Sequence, residues 1–332
     1  MADQTARATI TPATADARPD HDRFDERFLR KLEYLAVVTR RALPGQIRAE
    51  RRTRRVGAGI EFADHRDYSA GDDLRYLDWN LYGRMERLLV RLFEEDEDLS
   101  IHVLFDTSAS MGIGTPPKLD VAMQIGAALA YVGLANLDRV ALVPLTDVHP
   151  AAGGGAATAA AGVRHMTVGD GLPLARGKAS ILPMLRFLRG VRPAGRTALA
   201  PAVGDFLRRH RGRRPGLVVL LSDFYDPAGY RLALDRLRYA RFETIVIQVS
   251  APEEARPVLR GDLTIRDVET GEERELTVSP AALEEYRRRH GALLRGLEGF
   301  CRERALPCFP IVSDVPFDEV VLRVFRAGGL LR

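Results

Sequence analysis

A chain of 332 residues, 46% hydrophobic and 28% charged, fits either two domains or one enlarged α/β domain with an appendage, and has the composition of a globular protein. Its net charge is +4, and only Lys31, Lys118 and Lys178 are lysines, so the other 46 of its 49 basic residues are arginines. In an Ala- and Gly-rich chain whose 45 acids nearly balance those bases, this reads as compositional bias rather than a polyanion-binding surface, and nucleic acid is not an expected partner. Two cysteines, Cys301 and Cys308, with no CxxC spacing, exclude a disulfide framework. No basic N-terminal segment leads into an apolar core, and no apolar run reaches the ~18 residues of a membrane helix. No secretory signal and no transmembrane segment are therefore expected, and the cytoplasm is the expected location.

Residues 1–20, rich in Ala, Thr, Asp and Pro, are read as a disordered tail. Phe24, Phe28, Leu32, Leu35 and Val38 recur at helical spacing and predict an amphipathic helix that ends before Pro44. The stretch from 57 to 98 mixes acids, arginines and aromatics, holds the single Trp79, and reads as an irregular or short-stranded arm packed on the main body. From residue 99, strands and helices alternate. Strands are predicted at 99–105, 139–145, 216–224, 242–250 and 307–312. Helices are predicted at 118–137, 181–190, 198–210, 230–240, 282–305 and 318–328. The Ala/Gly-rich segment 150–163 reads as a loop, and 262–279 as a hairpin turning at Thr270-Gly271. This order predicts a doubly wound, mainly parallel sheet with helices on both faces. The domain reading is a tail at 1–20, an N-terminal helical and irregular arm at 21–97, and an α/β domain at 98–332 with the hairpin inserted.

Such sheets bind ligands at the carboxyl ends of their strands. Two acids fall there: Asp106, in LFDTSASMG (104–112), and Asp223, in LLSDF (220–224). A serine nucleophile at Ser108 lacks the G-x-S-x-G elbow. No Gly-rich phosphate loop follows Phe105. An aspartyl phosphotransferase would want a second acid at position 108, where Ser stands. A divalent metal site fits better: in D-x-S-x-S, Asp106, Ser108 and Ser110 can place three oxygens together, and Thr197 and Asp223 can add two more. If Asp106 alone coordinates directly, the ion stays electrophilic and attracts a carboxylate from another protein. The plain alternative is a helix N-cap at Ser108 or Ser110, with Asp223 in an Asx-turn.

In order and type, Asp106, Ser108, Ser110, Thr197 and Asp223 resemble the metal-ion-dependent adhesion site of von Willebrand factor A domains. EFADHRDYSAGDDLRYLDWN (61–80), the stretch 84–112 and the stretch 118–142 resemble the bacterial domain-of-unknown-function family fifty-eight. That resemblance implies a von Willebrand factor A-like domain behind an N-terminal arm, and association with MoxR-type AAA+ ATPases. Many members carry N-terminal membrane helices, so this chain resembles their short soluble form. The function expected is a non-enzymatic, metal-dependent protein-interaction module. It would use Mg²⁺, with Mn²⁺ or Ca²⁺ as alternatives. Its partner would be a MoxR-type ATPase or that ATPase's client protein, supplying a carboxylate to complete the metal shell. The alternative is a metal-assisted phosphatase or nuclease, for which no convincing nucleophile or general base stands out.

Other features have plain readings. His102, inside an apolar strand, is expected in the core, and His65 lacks neighbours at metal spacing. The acids of 61–80 could form a partner-docking surface or a brace for the metal-bearing domain, but the favoured reading is a salt-bridge and aromatic network joining arm to body, with Trp79 as a packing anchor. RRTRR (51–55) and RRHRGRR (208–214) read as solvated basic faces.

Overall fold

The computed structural model describes residues 8–9, 23–42, 52–56, 61–96, 99–145 and 171–327. Apart from residues 8–9, the tail predicted at 1–20 lies outside them, as does the loop at 150–163. The chain divides into two compact units, residues 1–39 with 100–331, and residues 40–99.

In chain order, strand β1 (Ala8–Thr9) precedes helix α1 (Glu26–Ala42), and the smaller unit follows with β2 (Arg52–Val56), β3 (Glu61–Asp67), α2 (Trp79–Met85) and β4 (Leu89–Asp96). The α/β unit then runs β5 (Ser100–Asp106), α3 (Lys118–Ala135), β6 (Arg139–Leu145), β7 (Leu172–Arg176), α4 (Ile181–Gly190), α5 (Leu199–Arg209) and β8 (Leu217–Ser222). It continues with α6 (Arg231–Tyr239), β9 (Glu243–Ser250), α7 (Pro252–Ala255), β10 (Gly261–Arg266), β11 (Glu273–Val278), α8 (Pro280–Glu303), β12 (Cys308–Val312) and α9 (Phe317–Ala327).

The main sheet has six strands in the order β12-β9-β8-β5-β6-β7. All neighbours are parallel except the edge pair β6–β7. This is the doubly wound sheet that the alternating pattern implies. The edge strand β7 went unread in the sequence, because five residues containing Pro173 carry little strand signal. The chain crosses over between β5 and β8, which are neighbours although β6 and β7 lie between them in sequence, so their carboxyl ends form the switch point where such sheets hold ligands.

The sheet is buried on both faces, and each face dictates its cover. Helix α3 has 15 buried residues of 18 and many small side chains. A Cβ at Gly126 would come within 3.0 Å of Val103, and one at Gly133 within 2.8 Å of Ile101, so glycine lets this helix lie close on β5. Such an approach is how a helix of low side-chain volume still fills its interface. By length and composition α3 could cross a bilayer, contrary to the sequence expectation that no apolar run comes near that length, yet 83% of it is buried inside the protein. Its apolarity is that of a central core helix. On the other face, Leu199, Val203 and Phe206 of α5, Leu234 and Leu237 of α6, and Leu297 and Phe300 of α8 pack with Leu104, Val218, Leu220 and Val246. Full burial of each such side chain contributes about 1.5–3 kcal/mol.

The arm predicted at 21–97 divides. Helix α1 groups with the α/β unit, where the Phe28 ring lies tilted against Phe317 at 4.8 Å, Lys31 pairs with Asp318, and Arg23, just before the helix, pairs with Asp120. The apolar stripe read at 24–38 accounts for this, since Phe24, Phe28, Leu32 and Leu35 are all buried. The smaller unit is a three-stranded antiparallel sheet, β2-β4-β3, with the two-turn helix α2. Among its described residues Arg66 pairs with Asp72, Arg75 with Asp73, Arg87 with Asp67, and Arg91 with Asp78. Asp78 also caps α2 and accepts from His65. Trp79, expected as a packing anchor, is instead 60% exposed at the first position of this short helix, edge-on to Tyr82. A second small sheet joins β10 and β11 as a hairpin, with β1 parallel along β10. The basic run at 208–214 is exposed apart from the half-buried His210.

His102 is a core residue, 2% exposed and ringed by Phe206, His210 and Phe242. Burial, then the charges of His210 and Arg213, lower its pKa from 6.5 to about 4. Its Nδ1 has no hydrogen-bond partner. The unfolded chain therefore takes up a proton below pH 6.5 that the folded chain refuses until about pH 4. Stability from this residue is complete above pH 6.5 and falls as pH drops through that window, by up to about 3 kcal/mol. In His102→Phe the difference in urea-unfolding free energy between pH 7 and pH 4.5 is expected to shrink relative to the unsubstituted chain; an equal difference would place the histidine's titration elsewhere.

Candidate functional site

Asp106 ends β5, and Asp223 follows the last residue of β8. The two strands are adjacent and parallel, with Phe105 opposite Leu221, so one step further brings Asp106 to Ser222. The Ser222 hydroxyl donates to Asp106 Oδ2 at 2.6 Å and accepts from the Phe224 N–H at 2.9 Å. Asp106 Oδ1 accepts from the Ser108 N–H. Ser108 Oγ lies 3.1 Å from Ser110 Oγ, and Ser110 donates to Asp223 Oδ2 at 2.9 Å. Four of the five residues singled out in the sequence thus form one buried hydrogen-bonded chain, from Asp106 through both serines to Asp223. The N-cap of the plain alternative is not made: neither serine makes a side-chain cap bond to the short helical turn at 109–112. Asp223 does accept from the Tyr225 N–H, the Asx-turn element of the plain reading.

Thr197 arrives by its loop. Ala109 donates to the Gly195 carbonyl and Ala194 to the Thr107 carbonyl, lacing the 194–197 loop to the 107–109 loop. Asp226 ties this region to the third loop, accepting from the Leu199 N–H at the start of α5 and from the Ala228 N–H. Thr197 makes no hydrogen bond to the other four residues. Its N–H and hydroxyl both donate to the Glu269 carboxylate, at 3.0 and 2.6 Å.

The backbone turns sharply here. Phe224 has φ of 61°, a left-handed conformation costly for a bulky residue, and it is held there by the bond to Ser222 and by burial of its ring. The strain lets Asp223 face the site while the next side chain enters the core.

Lys118, at the first turn of α3, is fully buried. Its ammonium donates to Asp223 Oδ2 at 2.7 Å and to Glu254 Oε1 at 2.6 Å, and lies 4.9 Å from the Tyr225 ring centre. Glu254 is anchored in turn by the Ala251 N–H. Burial pulls the Lys118 pKa down, but the Asp223 and Glu254 carboxylates outweigh it and the net shift is upward. Beyond them, Tyr225 meets His290 at 3.0 Å. Burial, followed by the charge of Glu254, pushes the Tyr225 phenol up and Tyr286 up to about 12. Asp106 is raised to about 6, by burial first and then by the Asp223 charge, against the opposing bonds from Ser222 and Ser108.

Three clustered carboxylates against one ammonium leave two negative charges. Hydroxyl and carboxylate oxygens together with that excess match the hard donors a divalent ion such as Mg²⁺ takes. Among the described residues no group of three or more His, Cys, Asp or Glu is arranged to hold a metal, so any ion here would depend on the serine and threonine hydroxyls. The donor set fits, with Asp106, Ser108, Ser110 and Asp223 already together and Thr197 on the adjoining loop.

Sequence reading missed Ser222, Lys118, Glu254 and Glu269. A signal did exist for Lys118: in a chain that writes nearly every base as Arg, three lysines stand out, and here the compact ammonium reaches two carboxylates in a fully buried pocket where a broad guanidinium would need more room.

A doubly wound α/β unit with a buried acid–hydroxyl cluster at its switch point is thus the class that fold and site define. The chain belongs to the family described as "Protein of unknown function DUF58", which matches residues 64–292. Uncharacterized proteins of Mycobacterium bovis and Mycobacterium tuberculosis are each 30% identical over 294 residues, covering 87% of this chain and 84% of theirs. Among solved structures, an aerotolerance-related membrane protein from Bacteroides fragilis is 15% identical with a TM-score of 0.39, covering 69% of this chain and 97% of its own. A von Willebrand factor type A structure from Catenulispora acidiphila is 19% identical with a TM-score of 0.32, covering 61% and 44%.

Removing the ammonium alone should expose the charge excess. Lys118→Met leaves Asp223 and Glu254 buried without their cation and is expected to lose about 3–5 kcal/mol in urea unfolding without divalent ions. A loss below about 1 kcal/mol would mean that the ammonium does not balance these charges.

Proposed function

We propose that this protein is a metal-dependent protein-interaction module, a cytoplasmic adaptor that works with a MoxR-type AAA+ ATPase or its client protein. The observation that carries this reading is the buried chain from Asp106 through Ser108 and Ser110 to Asp223, which retains excess negative charge after Lys118 is counted. Asp106, Ser108 and Ser110 hold the ion, Asp223 supports it directly or through water, and Thr197 adds its hydroxyl in the engaged state. A bound Mg²⁺, or Mn²⁺ or Ca²⁺, supplies an electrophilic open position for a partner's carboxylate. The partner class is suggested by the resemblance of 61–80, 84–112 and 118–142 to the DUF58 family, which implies association with MoxR-type ATPases.

The surroundings favour binding over catalysis. Lys118 is committed to two carboxylates, and His290 is hydrogen-bonded to Tyr225. A phosphatase or nuclease would need a free base or nucleophile beside the ion.

The test uses the purified chain and a purified MoxR-type ATPase. Retention of the ATPase in Mg²⁺ but not in EDTA is expected, with Asp106→Ala abolishing retention while its ion-free melting temperature stays within a few degrees. Binding that survives the substitution, or is equal in both buffers, refutes the mechanism.

A further inference from the structure

Thr197 is 5% exposed, and both of its polar hydrogens are spent on one side chain, Glu269. That glutamate sits at the tip of the β10–β11 hairpin. Arg266, Asp267, Val268 and Thr270 around it are exposed, whereas Glu269 is half-buried. The tip is built to present it. Asp267 Oδ1 accepts from the N–H groups of Glu269 and Thr270, the Gly271 N–H closes on the Asp267 carbonyl, and Gly271 takes the left-handed φ of 74° that the turn requires. The Asp267 carboxyl is lowered chiefly by the Thr270 N–H that it accepts from. The hairpin thus delivers a carboxylate to the one residue of the five that is not bonded to the other four.

We propose that Glu269 is an internal ligand of the site: it occupies, from within the chain, the position that a partner's carboxylate takes, and the β10–β11 hairpin must lift before a partner can engage. This rests on the ion-site reading above and adds its regulation. The chemistry is that of a carboxylate bidentate on a hydroxyl and an amide beside two laced loops, the same group an acidic partner would bring. A hairpin joined to the rest of the unit at both ends holds that carboxylate at high effective concentration, so a partner acid must compete with a tethered one. Thr197 is then released from Glu269 in the same step that admits the partner.

The experiment is a titration of the full chain with Mn²⁺ alone, read by the loss of the free-ion electron paramagnetic resonance signal, with and without added acetate. Four proteins are compared: the unsubstituted chain, Glu269→Ala, Glu269→Gln, which keeps the shape and a hydrogen-bond acceptor, and Asp106→Ala. The unsubstituted chain is expected to bind Mn²⁺ with an affinity that acetate does not change. Both Glu269 variants should bind about tenfold or more weakly, with acetate restoring most of the loss. Asp106→Ala should not bind. If both Glu269 variants bind like the unsubstituted chain and ignore acetate, the internal ligand is refuted while the ion site stands. If the unsubstituted chain binds no Mn²⁺, or Asp106→Ala binds it equally well, the ion site and its internal ligand fall together.

Discussion

Two carboxylates buried at the ends of adjacent parallel strands repel each other, and the rest of the site is an answer to that repulsion. Asp106 responds by a raised pKa, and Asp223 by the Lys118 ammonium that it shares with Glu254. The serines fill the space between with hydroxyls that can both donate and accept. Isolated buried charges of this kind are rarely tolerated, because their desolvation is not recovered. They persist here because every carboxylate oxygen described above has a donor, and because backbone bonds lace two of the loops together while the Asp226 carboxylate ties in the third.

The fold was largely legible in the sequence because its physical signals are strong. The runs 99–105 and 216–224 are apolar on both faces, as strands covered by helices must be, and they emerge as β5 and β8. Asp106, Ser108, Ser110 and Asp223 could be picked out because strand ends announce themselves where an apolar run stops at an acid. What stayed hidden depended on long-range placement. Lys118 reads as the polar start of an amphipathic helix until the helix is set against β8. Glu254 reads as the polar end of a four-residue turn. Glu269 looks like one more exposed acid in a hairpin, since nothing local says that its tip folds back to Thr197. Trp79 erred in the other direction: its hydrophobicity suggests burial, but a two-turn helix held by one Asp78 cap offers it no wall to pack against.

The smaller unit follows a different logic from the α/β unit. Few of its described residues are buried, and Asp78, Arg91 and His65 hold its turn and strand together with one shared carboxylate. Arg91 draws Asp78 far below the usual carboxylate range, followed in effect by the Leu81 N–H and then His65. Polar cross-links take over where apolar burial is thin, although exposed pairs of this type contribute modestly one by one.

Helix α3 joins the two ends of the sheet. Lys118 stands at its first position and Gly133 fifteen residues on, about 22 Å away at the ordinary helical rise. The glycine's close seat on Ile101 fixes the helix in depth and register at the far end. A rigid rod seated that way is a lever: sliding or tilting it at the Gly133 end carries the ammonium with it, while Asp106 and Asp223 stay with the strands that bear them. The balance of charge at the switch point is thereby set in part by core packing a whole helix length away.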